Sequence, residues 1–301
     1  MNKKNLGSSE TTREASSPHA FHAYIPYIPQ HRRKHFDPTF LEWLVGFFEG
    51  DGNFQDWYQS ERQTLRFRVC ITQKDRALLA NIRTELGYGT IQPITANDGM
   101  VYYQLRLETR QNVLAMLHLF AGNLRLRKVQ KRFHDWAQKV CTQFNVPMPS
   151  NPQGLAIRPV SLSEGWFSGF FQAEGGFSVA YRQDTRYRLG YYVVLLSYID
   201  QQDEKAVLDE IASLFHGWVE TRNRETSSSR VWFYADLHLF VTYFQTYPVR
   251  GKKRISQSRW FRVFQRLQNK NTIPLPEIGT KAHTRFLRLI QNINQKNKKT
   301  R

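Results

Sequence analysis

Two segments of this chain contain a carboxylic acid directly before a glycine, and the segments are versions of one another. Residues 43–54 read WLVGFFEGDGNF, and residues 166–177, which begin 123 positions later, read WFSGFFQAEGGF. The acid is Asp51 in the first copy and Glu174 in the second. Two carboxylates that a repeat brings together repel each other unless a cation lies between them. Their oxygens suit Mg²⁺, which binds one or two carboxylates together with water and phosphate.

Such a centre could hydrolyse a phosphodiester bond, because a divalent ion activates water and stabilises the leaving oxygen. The C-terminal ends of the two segments, if helical, add partial negative charge and free carbonyl oxygens. We therefore predict Mg²⁺ or Mn²⁺ held by Asp51, Glu174 and the carbonyls of Gly50 and Ala173. The alternative is a pair of core helices whose acids merely face solvent. An acid kept in register in both copies favours the metal site.

The segments before the acids are predicted to be helices that pack on each other. Gly46 and Gly50 are four residues apart and therefore lie on one helix face. Gly169 and Ala173 form the same pair in the second copy. Small residues at this spacing allow two helix backbones to approach closely. We expect these four positions to form the interface between two pseudo-symmetric halves.

The stretch after each helix also repeats in kind. Asp37 is a candidate N-cap for the first helix, and Ser161 with Glu164 matches a capping box before the second. Strands are predicted at 53–59, 65–71, 88–94 and 101–107, and near 177–182, 191–199, 217–222 and 230–236. Helices are predicted at 75–86, 109–120, 127–140 and 203–215, with more after the last strand. The order α-β-β-α-β-β-α, twice, defines an α+β fold.

Irregular stretches divide the chain. Pro26 and Pro29 disfavour a helix near the N-terminus, and prolines recur around residue 150. A short helix containing Phe286 is expected within an otherwise frayed basic end. The predicted division is a flexible tail at 1–36, a first repeat at 37–145, a linker at 146–160, a second repeat at 161–272 and a basic C-terminal tail at 273–301.

Composition indicates a folded protein that binds a polyanion. The 301 residues include 43 Lys and Arg against 25 Asp and Glu, a net charge of +18, and 41% hydrophobic residues exclude wholesale disorder. No apolar run approaches the roughly 20 residues that span a bilayer. Two cysteines cannot form a disulfide framework. The charge indicates a nucleic-acid partner, and the alternative is a loose binder of anions or of ribosomes.

The two copies resemble the nine-residue motif of the LAGLIDADG homing endonucleases, in the single-chain type that carries two motifs. Residues 44–52 and 167–175 carry the resemblance, which covers roughly residues 37–270. It implies a monomer whose two four-stranded antiparallel sheets form a saddle over DNA. It also implies site-specific double-strand cleavage across the minor groove that leaves 3′ overhangs. Glu49 matches an earlier acid of the motif, and Gln172 replaces that acid in the second copy without affecting the metal ligands.

The resemblance further implies a basic residue in each half near the scissile phosphate and a glutamine in each half that positions water. The implied basic residues are Lys128 and Lys253, with Lys252 as an alternative to Lys253. The implied glutamines are Gln73 and Gln201, with Gln202 as an alternative to Gln201. Plain contact with phosphate is the other interpretation of the lysines. The implied catalytic set is Asp51, Glu174, Lys128, Lys253, Gln73 and Gln201.

Strand alternation predicts the side chains that face DNA. If Leu65 and Phe67 face the core, Arg66 and Arg68 face outward. Arginine reads guanine and glutamine reads adenine in the major groove, although a solvated sheet face is the alternative. In the second half the pattern is weaker, because residues 191–196 are nearly all apolar. The predicted DNA-binding set is Gln55, Trp57, Gln59, Arg66, Arg68, Gln104, Arg106, Arg182 and Arg222.

These features favour a site-specific, Mg²⁺-dependent endonuclease of double-stranded DNA. The alternative is a maturase that binds its host intron RNA on the same fold, with or without cleavage. A third interpretation is a DNA-binding regulator without catalysis. The presence of both acids favours cleavage over the other two. Because the family is frequent in group I introns of mitochondria and chloroplasts, the resemblance implies an organellar location.

Overall fold

The computed structural model describes residues 21–35, 37–149, 158–223, 225, 227–269 and 274–294. The first half contains α1 (Pro38–Asp51), β1 (Gly52–Gln59), β2 (Thr64–Gln73), α2 (Arg76–Leu86), β3 (Thr90–Thr95), β4 (Val101–Leu107), α3 (Arg110–Phe120) and α4 (Arg127–Phe144). The second half contains α5 (Trp166–Glu174), β5 (Gly175–Gln183), β6 (Tyr191–Gln202), α6 (Lys205–Leu214), β7 (Trp218–Asn223), β8 (Ser228–Phe233), α7 (Leu237–Thr246) and α8 (Gly251–Gln268). A final helix, α9 (Lys281–Asn294), follows.

Each half contains a four-stranded antiparallel sheet. The strand orders are β1-β2-β4-β3 and β5-β6-β8-β7, so the two sheets have the same topology. Gly52 lies opposite Ile71 in the first sheet and Gly175 lies opposite Ile199 in the second. The predicted α+β fold with two pseudo-symmetric repeats is therefore confirmed, and each repeat ends in two helices, as predicted after its last strand.

Alternation along the strands decides which side of each sheet faces the helices. In β2, Phe67 and Val69 are buried whereas Arg66 is exposed. The inward aromatic side chains pack in matching clusters, with Phe54 against Phe48 of α1 and Phe177 against Phe171 of α5. Each sheet therefore buries one face against its own helices and leaves an outer face available for a partner.

Helices α1 and α5 pack directly on each other through their small residues. A methyl group at Gly46 would lie 2.8 Å from the amide nitrogen of Phe170. A methyl group at Gly169 would overlap the carbonyl oxygen of Trp43 and lie 2.8 Å from the amide nitrogen of Phe47. The contact is thus backbone against backbone. Any side chain at either glycine would force the helices apart.

The two helices begin differently. Asp37 caps α1 as expected, since its Oδ1 accepts a hydrogen bond from the amide of Thr39 at 2.9 Å. The capping box predicted at Ser161 and Glu164 is wrong, because α5 begins only after Glu164 and has no side-chain cap. Glu164 instead forms a buried ion pair with Arg125. A buried guanidinium needs an anion more than a helix end needs a cap.

The predicted flexible tail is wrong for residues 21–35. They form two short 3₁₀ helices, Ile25–Tyr27 and Gln30–His35, and Phe21, Tyr24 and Ile28 are buried. The prolines that disfavour an α-helix are compatible with these turns. Residues 1–20, 36, most of the predicted linker (150–157) and residues 270–273 lie outside the described residues.

The helix predicted around Phe286 within the C-terminal tail is confirmed as α9, which runs from Lys281 to Asn294. Phe286, Ile290 and Ile293 are buried on one side of this helix. His283 is hydrogen-bonded to the Tyr181 hydroxyl of β5, with 3.0 Å between Nε2 and the oxygen. Phe286, Ile290 and Ile293 follow one another at intervals of four and three residues, which places them on one face of a helix. Residues 295–301 lie outside the described residues, and no described helix is long and apolar enough to cross a membrane.

A single hydroxyl group tests whether the segment at 21–35 is anchored. The hydroxyls of Tyr24 and Tyr88 are 2.7 Å apart, and Tyr24 is buried. Tyr24→Phe should lower the free energy of unfolding by about 0.5–1.5 kcal/mol, because Tyr88 loses its partner. The control Tyr187→Phe removes a hydroxyl from a side chain that is 50% exposed and should change little. Urea denaturation measures both, and equal stability of the two variants would contradict the anchored segment.

Candidate active site

Asp51 and Glu174 are the last residues of α1 and α5. Because the two helices cross through small residues, their C-terminal ends lie side by side. A methyl group at Gly50 would lie 3.2 Å from Oε1 of Glu174, which belongs to the other half. The structure therefore brings the two acids of the repeat to one centre between the halves.

The centre is half-buried, and the charge of Asp51 acts on Glu174. Burial raises the pKa of Asp51 to about 6, against the lowering effects of the Lys253 charge and a hydrogen bond from Gln73. Burial, followed by the Asp51 charge, raises the pKa of Glu174 to about 7, and Lys128 and Lys253 oppose this. The raised pKa values therefore reflect mainly the removal of both carboxylates from water, with repulsion from Asp51 added at Glu174.

Lys253 is the cation nearest to the end of α5. Its Nζ donates to the carbonyl oxygens of Phe171, Gln172 and Gly175 at 3.1, 2.7 and 2.7 Å. Burial lowers the pKa of Lys253 to about 8, although the nearby carboxylates oppose that effect. The ammonium therefore neutralises the helix end while its charge acts on both acids.

Lys128 reaches the centre from the first half. Its Nζ donates to Oε1 of Gln201 at 2.6 Å and to the carbonyl oxygen of Gln202 at 3.1 Å. The charge of Lys128 acts on Glu174, whose pKa it lowers. Each lysine therefore contacts groups of the second half, and together they flank the acids.

The two lysines do not occupy equivalent positions. The amide of Lys128 donates to Oε1 of Glu204 at 2.8 Å, directly before α6. In the other half it is the amide of Lys252 that donates to Oδ2 of Asp75, at 3.1 Å, directly before α2. Lys252 is thus the positional equivalent of Lys128 and is exposed, whereas Lys253, one residue later, is the lysine at the acids. The sequence alone could not distinguish Lys252 from Lys253, because both lie in a run of basic residues.

The two glutamines do occupy equivalent positions. Gln73 and Gln201 each lie two residues after the isoleucine that pairs with the first glycine of the sheet. Gln73 Nε2 donates to Oδ2 of Asp51 at 2.6 Å. Gln201 is buried and accepts from Lys128, while the Gln202 side chain is exposed. Register therefore favours Gln201 over Gln202.

The earlier acid of the motif anchors a loop. Glu49 is buried and accepts from the amides of Arg125 and Leu126 at 2.7 and 2.6 Å, just before α4. In the other half, Oε1 of Gln172 accepts from the amide of Arg250 at 2.8 Å, just before α8. Both side chains thus hold the loop that leads into a site lysine. The sequence analysis missed this role.

The donor set fits a hard divalent ion. Among the described residues there is no group of three or more His, Cys, Asp and Glu side chains that could hold a metal. Two adjacent carboxylates are nevertheless the kind of oxygen ligands that Mg²⁺ binds together with water and phosphate. The carbonyls of Gly50 and Ala173, one residue before each acid, lie in the last turn of each helix.

The outer face of the first sheet is polar. Gln55 lies opposite Arg68 and Trp57 opposite Arg66 in the register of β1 and β2. Arg68 donates to Gln55 at 3.3 Å, pairs with Glu108 and lies over the Trp57 ring, 4.8 Å from its centroid. We call this surface the first outer face, defined by Gln55, Trp57, Gln59, Arg66, Arg68, Gln92, Gln104 and Arg106.

Gln104 is buried rather than available to DNA, which corrects the prediction for this residue. It lies on the first outer face, but its Nε2 donates to Thr72 at 3.1 Å and its Oε1 accepts from Arg106 at 2.6 Å. Arg106 also donates to Gln92 at 2.6 Å. Gln104 therefore orients Arg106, and Gln92 is an exposed residue that the prediction missed although alternation along β3 would have indicated it.

The second sheet presents a different outer face. We call it the second outer face, defined by Ala180, Arg182, Tyr192, Val194, Leu196, Tyr198, Trp218, Glu220, Arg230 and Trp232. Arg182 is exposed on this face, opposite Tyr192. Arg222 is exposed at a register irregularity of β7, between Thr221 and Asn223.

Residues 44–140 and 167–264 match the family described as LAGLIDADG endonuclease. Each stretch contains one acid of the centre and the sheet that follows it. The chain therefore belongs to this family, as its two motifs indicated. Family membership supports a nuclease.

Several curated relatives are named as intron-encoded proteins. The chain is 25% identical over 229 residues to "Probable intron-encoded endonuclease 4" of Neurospora crassa. This match covers 75% of this chain and 40% of the relative. It is 24% identical over 201 residues to "Intron-encoded RNA maturase bI4" of Saccharomyces cerevisiae, which covers 62% of this chain and 28% of the relative. The match thus spans less than half the length of either relative.

Solved structures share the fold. The LAGLIDADG meganuclease I-AabMI, bound to uncleaved DNA, aligns with a TM-score of 0.62 at 20% identity over 85% of this chain and 99% of its own. The meganuclease I-SmaMI, bound to uncleaveable DNA, aligns with a TM-score of 0.65 at 17% identity over 86% and 99%. At these identities the likeness confirms the architecture.

Proposed function

We propose that the chain is a site-specific homing endonuclease that hydrolyses double-stranded DNA with Mg²⁺ or Mn²⁺. The observation that carries the proposal is the pair of half-buried acids, Asp51 and Glu174, that meet between two sheets with polar or aromatic outer faces. Because one chain supplies both acids and both sheets, the active form is a monomer. DNA-bound solved relatives of the same fold support DNA as the partner.

Asp51 and Glu174 would hold a divalent ion, which would activate a water molecule and stabilise the leaving oxygen. Gln73 fixes the orientation of Asp51 by the 2.6 Å hydrogen bond to Oδ2. Lys128 and Lys253 place positive charge where negative charge develops on the phosphate. Gln201 holds the Lys128 ammonium. In this proposal the side chains of the first outer face other than Gln104 contact the DNA on either side of the cut, together with Arg182 and Arg222. Gln104 orients Arg106 without contacting the DNA itself.

We propose further that the reading frame lies in a group I intron of an organelle, which the intron-encoded names of the fungal relatives support. The target is then the joined sequence of the two flanking exons. A duplex of this sequence, incubated with the chain and Mg²⁺, should be cut at the junction with 3′ overhangs, which end sequencing detects. A duplex with the intron inserted is the control and should remain intact. An intact junction in both Mg²⁺ and Mn²⁺ would contradict the proposal.

A second candidate is a maturase, favoured by the similarity to a relative named as an RNA maturase. The basic chain could bind intron RNA without using its acids. Addition of the protein to the precursor RNA should then accelerate splicing in vitro, and Asp51→Asn should accelerate it equally. Acceleration without any DNA cleavage would favour the maturase over the endonuclease.

A further inference from the structure

The second outer face is apolar where the first is polar. Along β6 the outward positions are Tyr192, Val194, Leu196 and Tyr198, and Val194 is 36% exposed. Ala180 of β5 lies opposite Val194, which extends the apolar strip across two strands. The equivalent positions in the first sheet carry Arg66 and Arg68. Apolar side chains gain free energy only when contact with another apolar surface removes them from water. A partner of this strip must therefore offer apolar groups of its own.

On the β7 and β8 side of this strip, the charged groups Arg230 and Glu220 are engaged with protein, whereas Arg182 on β5 is exposed. Arg230 forms two 2.5 Å hydrogen bonds with Asp200. Its guanidinium lies over the rings of Tyr198 and Trp232, at 4.4 and 4.8 Å from their centroids. The Trp232 indole donates to Glu220 at 3.0 Å. Arg230 and Trp232 are therefore held in place by contacts within the protein, and the apolar strip beside them remains available to contact a partner.

Duplex DNA offers one apolar group in the major groove, the 5-methyl group of thymine. The two sheets flank the same acid centre and have the same topology, so one DNA duplex would cover both outer faces. Van der Waals contact with a methyl group needs the small aliphatic side chains that the strip provides. A side chain that reads bases by hydrogen bonds would instead carry polar atoms, as Gln55 and Arg66 of the first outer face do.

We propose that the second half of the chain recognises its half-site through thymine methyl groups, which contact Val194, Leu196 and Ala180. The inference rests on the proposed function, because it needs duplex DNA across both sheets. Val194 lies seven residues from Gln201, which is bonded to Lys128 at the centre. At about 3.3 Å per residue and 3.4 Å per base pair, the thymines lie roughly five to eight base pairs from the cleavage centre.

Uracil substitution tests this directly, because deoxyuridine differs from thymidine only by the methyl group. Full-length protein first selects sites from a randomised duplex library in Ca²⁺, an ion present in a solved relative with an uncleaved target. A parallel selection with Arg66→Ala identifies the half-site read by the first half, where preferences should relax. Thymines are then replaced by uracil in one half-site at a time, and binding to each duplex is measured.

Uracil in the second half-site should weaken binding roughly tenfold if two or three methyl groups are buried. Uracil in the first half-site should change binding less than about twofold. The isosteric variant Val194→Thr, on an exposed position, should remove much of the preference for thymine over uracil. Its control, Val101→Thr, alters a 48% exposed valine of the first half and should leave the preference unchanged.

Equal tolerance of uracil in both halves would overturn the inference while leaving sequence-specific DNA binding intact. A preference for thymine that survives Val194→Thr in full would also overturn it, since the contact would lie elsewhere. Failure to recover any preferred duplex would overturn the proposed function itself and the inference with it. A surface built for RNA would give the first of these results, because RNA carries uracil.

Discussion

Asp51→Asn should reduce strand scission by about 10³-fold or more while DNA binding stays within a few-fold of the wild type. Asparagine keeps the shape of the side chain but removes the charge that a divalent ion needs at this centre. The loss should therefore appear in the rate of cleavage at saturating protein. Single-turnover cleavage of the junction duplex in Mg²⁺ measures the rate, and an electrophoretic mobility shift in Ca²⁺ measures binding. Glu174→Gln should behave in the same way.

The control for this prediction is Asp56→Asn, the same chemical change five residues further along. Asp56 is exposed and pairs with Lys139 at 2.8 Å on the helical side of the first sheet. Exposed pairs of this kind contribute about 0–1 kcal/mol, so cleavage by this variant should match the wild type. If Asp51→Asn cleaved DNA as fast as the wild type, Asp51 would not be a ligand of a catalytic metal.

Gly169→Ala should lower the melting temperature by roughly 5–10 °C, the second large effect that the structure predicts. The added methyl group would overlap the carbonyl oxygen of Trp43, which is backbone and cannot rotate away. The helices must separate, at a cost of about 3 kcal/mol, the upper end of the usual range for overpacked cores. Since the same helices carry the acids, cleavage should fall together with stability.

Ser168→Ala is the matched control, because it changes the neighbouring position in the same helix. Ser168 is buried, and its hydroxyl has no hydrogen-bond partner among the described residues. Its removal should therefore leave the melting temperature nearly unchanged. Differential scanning calorimetry compares the two variants. A Gly169→Ala protein as stable as Ser168→Ala would show that the helix backbones are further apart than described.

Much of the fold follows from the repeat alone. Two copies of one apolar segment, each followed by alternating strands, require two equivalent halves, and glycines at the same spacing require that the segments face each other. Strand alternation also separated the buried Phe67 from the exposed Arg66 correctly. These features depend on local periodicity, which a sequence displays directly.

The rest depends on contacts between distant residues, which local patterns do not contain. The roles of Glu49 and Gln172 depend on amides about 77 residues away along the chain. Gln104 was expected at the DNA surface because alternation gives the face of a side chain but not its hydrogen bonds, here with Thr72 and Arg106. The choice between Lys252 and Lys253 depends on the packing of α8 against α5, where a shift of one residue moves the ammonium into the acid centre.

The net charge of +18 acquires a physical meaning from this arrangement. Basic side chains lie on outer faces and on the helices that carry Lys128 and Lys253, whereas Asp51 and Glu174 share one half-buried centre between the halves. In the proposed function the basic surface attracts the phosphates of DNA, and a cation held by the two acids would let a phosphate approach them.

Direct measurement of metal bound at the two acids tests this account most sharply. Mn²⁺ bound by the complex of protein and junction duplex is counted by electron paramagnetic resonance, for the wild type, Asp51→Asn, Glu174→Gln and the control Asp56→Asn. The account predicts that each of the two centre variants loses bound Mn²⁺ relative to the wild type, and that Asp56→Asn retains all of it. Mn²⁺ bound equally by all four proteins would contradict a metal site shared between the two halves.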